Sequence, residues 1–153
     1  MAPRNPAKLS REEPQLVRPE RTINKGTVQD LLKGATLKLA DAEREANSGA
    51  TRLEAAYDAI LLAALAVFAA QGLRVTSQAG HHQVALEGLA AELRLSQVLV
   101  DEISQLREIR NKKYTGLAHV SPADMKAALA MAKRVLSEVG AWLAAHHPNL
   151  LKA

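Results

Sequence analysis

Four polar residues close together in the second half of the chain carry the most chemistry: Arg107, Arg110, Asn111 and Tyr114. On a helix that turns about 100° per residue they fall on one face, within an arc of about 100°. Two guanidiniums on so narrow a face repel each other unless something polar or anionic stands opposite. An acidic side chain of a neighbouring helix would serve, and the cluster would then be structural. A ligand's phosphate or carboxylate, or the polar groups of a second subunit, would serve as well, since a guanidinium pairs with either through charge-assisted, often bidentate hydrogen bonds. Arg107, Arg110, Asn111 and Tyr114 are therefore the candidate binding residues.

The histidines give less. His81 and His82 are adjacent, so on a helix they point about 100° apart and are poorly placed to chelate one metal. They fit the start of a helix, where the free N–H groups favour anions. His146 and His147 fit a helix C-terminus, where a cation suits the dipole. The chain has no cysteine, which excludes disulfides and cysteine-ligated zinc or iron–sulfur centres. It has no HExxH, no phosphate-binding glycine loop and no serine nucleophile elbow. Neither a metal nor a cofactor is expected.

The elements that must position these residues read as five helices. The first is expected from Thr27, whose spacing to Asp30 suits a capping box, with Val28, Leu31, Leu32, Ala35, Leu39 and Ala42 at helical period and Asn47, Ser48 and Gly49 ending it. The second is expected from Thr51 with Glu54 as its box partner. From Ala55 to Ala70 its only charge is Asp58, and a helix apolar nearly all round belongs at the bundle centre. Gln71 and Gly72 stop it, and 73–80 is expected to be loop. The third helix is expected over His82 to Leu93 and the fourth over Ser96 to Tyr114. The fifth opens on Ser121 as N-cap with Pro122 at its first position and runs to His146, before Pro148. No segment alternates as a strand would. The fold class expected is all-α, an up-and-down helical bundle of about five helices.

Composition agrees. Aromatics make up only 3% of the 153 residues, so alanine and leucine, both strong helix formers, must build the core. Four of the six prolines stand in the first 19 residues, a charged stretch without helical period. Residues 1–26 are accordingly expected to be a flexible arm and residues 27–153 the bundle. Six of the 20 basic and three of the 16 acidic residues lie in that arm, leaving 14 and 13 for the rest. The bundle is thus close to neutral, and a general nucleic-acid footprint is not expected of it. The residues from Met1 to Lys25 lack the apolar core of a signal peptide. The uncharged apolar run ending at Ala70 is shorter than the about 20 residues a membrane span needs. A cytoplasmic protein that does not enter the membrane is expected.

Read in order, Ala56-Tyr57-Asp58-Ala59 on the apolar helix, Gly72, Gly80-His81-His82 at the next helix, and Leu106, Arg107, Arg110-Asn111 and Tyr114 together resemble the HEPN superfamily over Val28 to His146. The resemblance implies an up-and-down bundle, commonly a homodimer. It implies either a metal-independent ribonuclease, acting as a toxin or in antiviral defence, or a non-catalytic binding domain. HEPN proteins are often paired with a nucleotidyltransferase-type antitoxin partner. The family's nuclease signature is an arginine, a polar neighbour, and a histidine after four to six intervening residues. Arg110 and Asn111 match its first half. Thr115, Gly116 and Leu117 occupy the window where the histidine belongs, and His119 comes two residues later. The chain therefore resembles members without the catalytic histidine. Tyrosine, with a pKa about 10, is a poor base at neutral pH, whereas histidine is a good one. Three expectations follow. The first is a non-catalytic domain binding a protein or nucleic-acid partner, RNA among them, through Arg107, Arg110, Asn111 and Tyr114. The second is a ribonuclease whose catalytic residues are Arg110, Asn111 and a stand-in base, His119 or His81. The third is a purely structural dimeric bundle.

Overall fold

The computed structural model describes residues 2–112 and 120–152. Its elements in chain order are α1 (Pro6–Glu12), β1 (Val17–Pro19), α2 (Lys25–Glu43), α3 (Gly49–Ala70), β2 (Leu73–Val75), α4 (His81–Leu93), α5 (Gln97–Lys112) and α6 (Pro122–His146), with a short 3₁₀ turn over Pro148–Leu150. The chain is a helical bundle. Three of the five expected helices, now α2, α3 and α6, wrap one another, and α4 and α5 complete the shell around α3.

Composition makes α3 the centre. Most of its alanines, with Leu53, Tyr57, Ile60, Val67 and Phe68, are buried. Small side chains let neighbouring helices approach closely, and the loss of contact area per residue is made up by burial on most sides. By length and composition α3 could cross a membrane. Within the bundle, 67% of its most apolar stretch is already covered, as expected of a central helix.

The first two long helices are capped three residues ahead of the expected caps. Asn24 caps α2, its Oδ1 accepting from the Thr27 N–H at 3.0 Å. Ser48 caps α3, its Oγ accepting from the Thr51 N–H at 3.2 Å. Thr27 and Thr51 resemble caps because polar β-branched residues suit the first turn too, but Asn and Ser stand at the positions where the chain is still extended. Ser121 and Pro122 open α6 as expected.

Within the arm expected over residues 1–26, residues 2–19 pack on the bundle. The two-turn helix α1 lays Leu9 against the bundle, and β1 pairs antiparallel with β2, Val17 opposite Val75, Arg18 opposite Arg74 and Pro19 opposite Leu73. Residues 73–75, expected to be loop, are therefore a strand. Leu9 and Val17 are 0% exposed and form a second small core with Leu16, Phe68 and Val84. A three-residue strand and a seven-residue helix are too short for any period to show in the sequence, so only the partner surface reveals them. Pro19 fits because the ladder's flanking bonds fall on Leu16 with Thr76 and Glu20 with Gly72, which leaves the proline at a position where no N–H is needed. Arg4 fastens the strap. Its Nε and its backbone N–H both donate to Glu87 Oε2 at 2.8 Å, and its Nη1 reaches Glu12 at 3.2 Å.

Candidate functional site

Three helices meet at one polar cluster. From α3 come Glu54, Tyr57 and Asp58, spaced so that they share a face; from α4 come His81 and His82; from α5 comes Arg110. Tyr57 is 0% exposed, so its ring needs a partner on its face and its hydroxyl needs a hydrogen bond. It has both. The Arg110 guanidinium lies over the ring, 5.1 Å from its centroid, and the hydroxyl stands 3.2 Å from His82 Nδ1. When the imidazole carries its proton on Nε2, the tyrosine donates and Nδ1 accepts. The His82 ring also meets His81 edge to face, 4.3 Å between centroids, and His81 Nδ1 is anchored 2.8 Å from the Gln78 carbonyl.

Arg110 has two further neighbours. Its Nη2 is 3.8 Å from Glu54 Oε1, and its Nη1 donates to Asn111 Oδ1 at 3.4 Å. Its side chain is 18% exposed, dry enough for the cation–π contact to contribute about 1 kcal/mol. Beside it, Asp58 pairs with Lys38 of α2 at 3.6 Å. The acidic partners that the sequence left open for Arg110 thus come from the central helix.

Burial sets the protonation of the cluster. Burial raises the Tyr57 hydroxyl above its ordinary value, and Arg107 and Arg110 only partly offset it. Burial lowers His82, and His81, Arg110 and Arg107 push it the same way by charge repulsion, so His82 is neutral at physiological pH. Burial also raises Asp58, against the pull of Lys38.

Of the four residues expected to share a face, the three that are described take different positions, although Arg110 and Asn111 stay bonded to each other. Arg110 folds inward over Tyr57. Arg107 and Asn111 line a separate groove of about 1000 Å³ between α4, α5 and the strap. The floor of that groove is apolar, with Leu86, Val100 and Ile103, and its walls carry Arg4, Lys8 and Arg107 against Glu12, Glu87 and Glu108. Tyr114 and His119 lie outside the described residues. Among the described residues no group of three or more His, Cys, Asp or Glu side chains gathers in a way that could hold a metal. His146 and His147 pack instead on Trp142, with centroids 5.6 and 5.1 Å away.

The Tyr57–His82 bond is the part that residue spacing does not disclose. One signal was available: Tyr57 and Asp58 are polar residues on an otherwise apolar helix, and such residues need partners from elsewhere. Which helix supplies them is a matter of packing. No protein-family model, curated protein or solved structure matches the chain.

Proposed function

We propose that the chain is a non-catalytic, HEPN-like helical-bundle domain that binds a polypeptide partner through the groove where α5 meets α4. The observation that carries this reading is the different positions of the two α5 arginines. Arg110 is engaged by Tyr57 and Glu54, whereas Arg107 points into the groove with no ion pair among the described residues and Asn111 is exposed beside it. An apolar floor bounded by equal numbers of basic and acidic side chains suits a polypeptide better than a polyanion, because protein interfaces join an apolar centre to a mixed polar rim. RNA phosphates would meet Glu12, Glu87 and Glu108 as well as the arginines. A second copy of the chain is the first partner to consider, in keeping with the homodimers that the HEPN resemblance implies, and a nucleotidyltransferase-type protein is the second. A cytoplasmic toxin–antitoxin or defence setting goes with this reading.

Sedimentation of the wild type and of Arg107→Glu tests it, together with co-purification with a nucleotidyltransferase-type protein where one is encoded alongside. The expected result is a complex that Arg107→Glu weakens while the far-ultraviolet spectrum is unchanged. A monomer at high micromolar concentration that also captures no such protein would remove the reading.

A second reading, metal-independent RNA cleavage, is favoured by one observation: neutral His82, a competent base in its protonation state, shares a cluster with Arg110, a group able to stabilise an anionic phosphorane. Incubation with single-stranded and structured RNA in EDTA separates the two. The binding reading expects no cleavage. Cleavage lost in Arg110→Ala would promote the nuclease.

A further inference from the structure

The central helix is covered on most sides, and a stripe that includes Leu61, Leu62, Leu65 and Ala69 is only partly buried. Leu65 and Ala69 of α3 are only half-buried, and together with Leu31 of α2 and Leu73 and Val75 of β2 they form the apolar floor of a cavity of about 630 Å³. The linker from β1 to α2 crosses its mouth. Ile23 in that linker is 47% exposed and comes to the cavity's edge, 3.4 Å from where a Cβ on Gly72 would stand. An apolar floor left open, with an exposed isoleucine beside it, is surface that water covers at a cost.

The rim has the opposite character. Arg21 and Arg74 both line the cavity. Arg74 also stands directly across the ladder from Arg18, a like-charge pairing that works against the strands. The chain offsets it with one carboxylate, since Glu20 Oε1 lies 2.9 Å from Arg74 Nε. Arg18 and Arg21 make no ion pair among the described residues. Two guanidiniums and one carboxylate line the cavity, and Glu20 already shows how an acid group docks there.

We infer that this cavity is a binding site for an amphipathic anion: a small molecule with a single apolar tail that lies on Leu31, Leu65 and Ala69 and an acidic head that Arg21 and Arg74 hold in the manner of Glu20. The volume falls within the about 300–1000 Å³ typical of small-molecule sites, which are mostly apolar with a few placed polar groups. A guanidinium pair selects carboxylate or phosphate heads over neutral or cationic ones. The site lies apart from the α5 groove, and it stands or falls independently of the partner-binding reading.

Calorimetric titration of the full chain with decanoate, and in parallel with decyl phosphate, tests the inference. At least one of the two should bind saturably with one site per chain, and their ranking identifies the head group. Arg21→Ala with Arg74→Ala should weaken that binding by about tenfold or more, as expected for losing charge-assisted hydrogen bonds. Both residues are exposed, so the fold should be unaffected. Leu65→Trp should fill the floor and abolish binding with the helical spectrum retained. Decyltrimethylammonium, with the same tail and the opposite charge, should not bind. Three results would overturn the inference: no saturable binding of either anion, equal binding of the cationic amphiphile, or unchanged affinity in the double arginine variant. So would self-association of the wild type that Leu65→Trp abolishes, since a second copy would then be covering the floor.

Discussion

Gly88 lies in α4 at the point where the strap, the central helix and α4 touch. A Cβ placed there would come within 2.3 Å of Phe68 Cζ and 2.7 Å of Phe68 Cε1, with Leu9 Cδ1 at 3.3 Å. Phe68 is 0% exposed, so its ring has little room to retreat. Overpacking a core by one methyl costs about 1–3 kcal/mol, and contacts this short belong at the upper end. Against this, alanine in a helix interior is favoured over glycine by about 1 kcal/mol. Gly88→Ala should therefore be destabilising by about 2 kcal/mol, or a fall in Tm of about 4–8 °C for a chain of this size. Gly140 in α6 supplies the control, because a Cβ there would meet nothing within 4 Å. Gly140→Ala should show the propensity gain alone, stabilising by up to about 1 kcal/mol. The assay is urea unfolding followed by circular dichroism. Combining Gly88→Ala with Phe68→Leu should recover part of the loss, a favourable coupling of about 1 kcal/mol or more between residues in contact. If Gly88→Ala were as stable as Gly140→Ala, α4 could not lie against Phe68 as described.

Deleting residues 2–19 should remove the buried Leu9, Leu16 and Val17, each contributing about 1.5–3 kcal/mol when fully buried, and so lower Tm by about 10 °C or more; a shift of a degree or two would mean the strap does not pack. Glu87 tests the clasp by pH. Burial alone would raise its carboxyl, but the hydrogen bonds and charge of Arg4 prevail and hold it below the usual value. A depressed carboxyl stabilises the fold above its unfolded pKa and loses that contribution as pH falls through the folded value. Glu87→Gln should therefore be destabilised at pH 7, with the gap to wild type closing below about pH 4; a gap independent of pH would refute the pairing. His82 responds in a higher window. Its folded pKa is below that of the unfolded chain, so stability is unaffected above about pH 6.5 and declines as pH falls below it. His82→Gln should abolish that slope, and retention of the full slope would assign it elsewhere. Arg110→Ala should cost about 1–2 kcal/mol through the lost ring contact and ion pair; no loss of stability would mean that Arg110 does not rest on Tyr57.

The sequence alone determined the long helices, because each repeats its apolar residues often enough for a period to show, and the charge-poor stretch from Ala55 to Ala70 marked the central one. It also singled out Arg107, Arg110 and Asn111 as sharing a face, since that follows from helical geometry within a single element. What it could not supply is anything that depends on two elements meeting. The strap of α1 and β1 has too few residues to carry a period, and its stability comes from Phe68 and Val84, far along the chain. The same holds at the polar cluster. Arg110 rests over the Tyr57 ring and meets Glu54, whereas Arg107, whose charge Tyr57 and His82 also feel, lines the groove, and residue type, which is the same, does not decide this. Local spacing sets which residues face the same way. Only the packing of α3 against α4 and α5 decided which arginine is engaged by the core and which faces the groove.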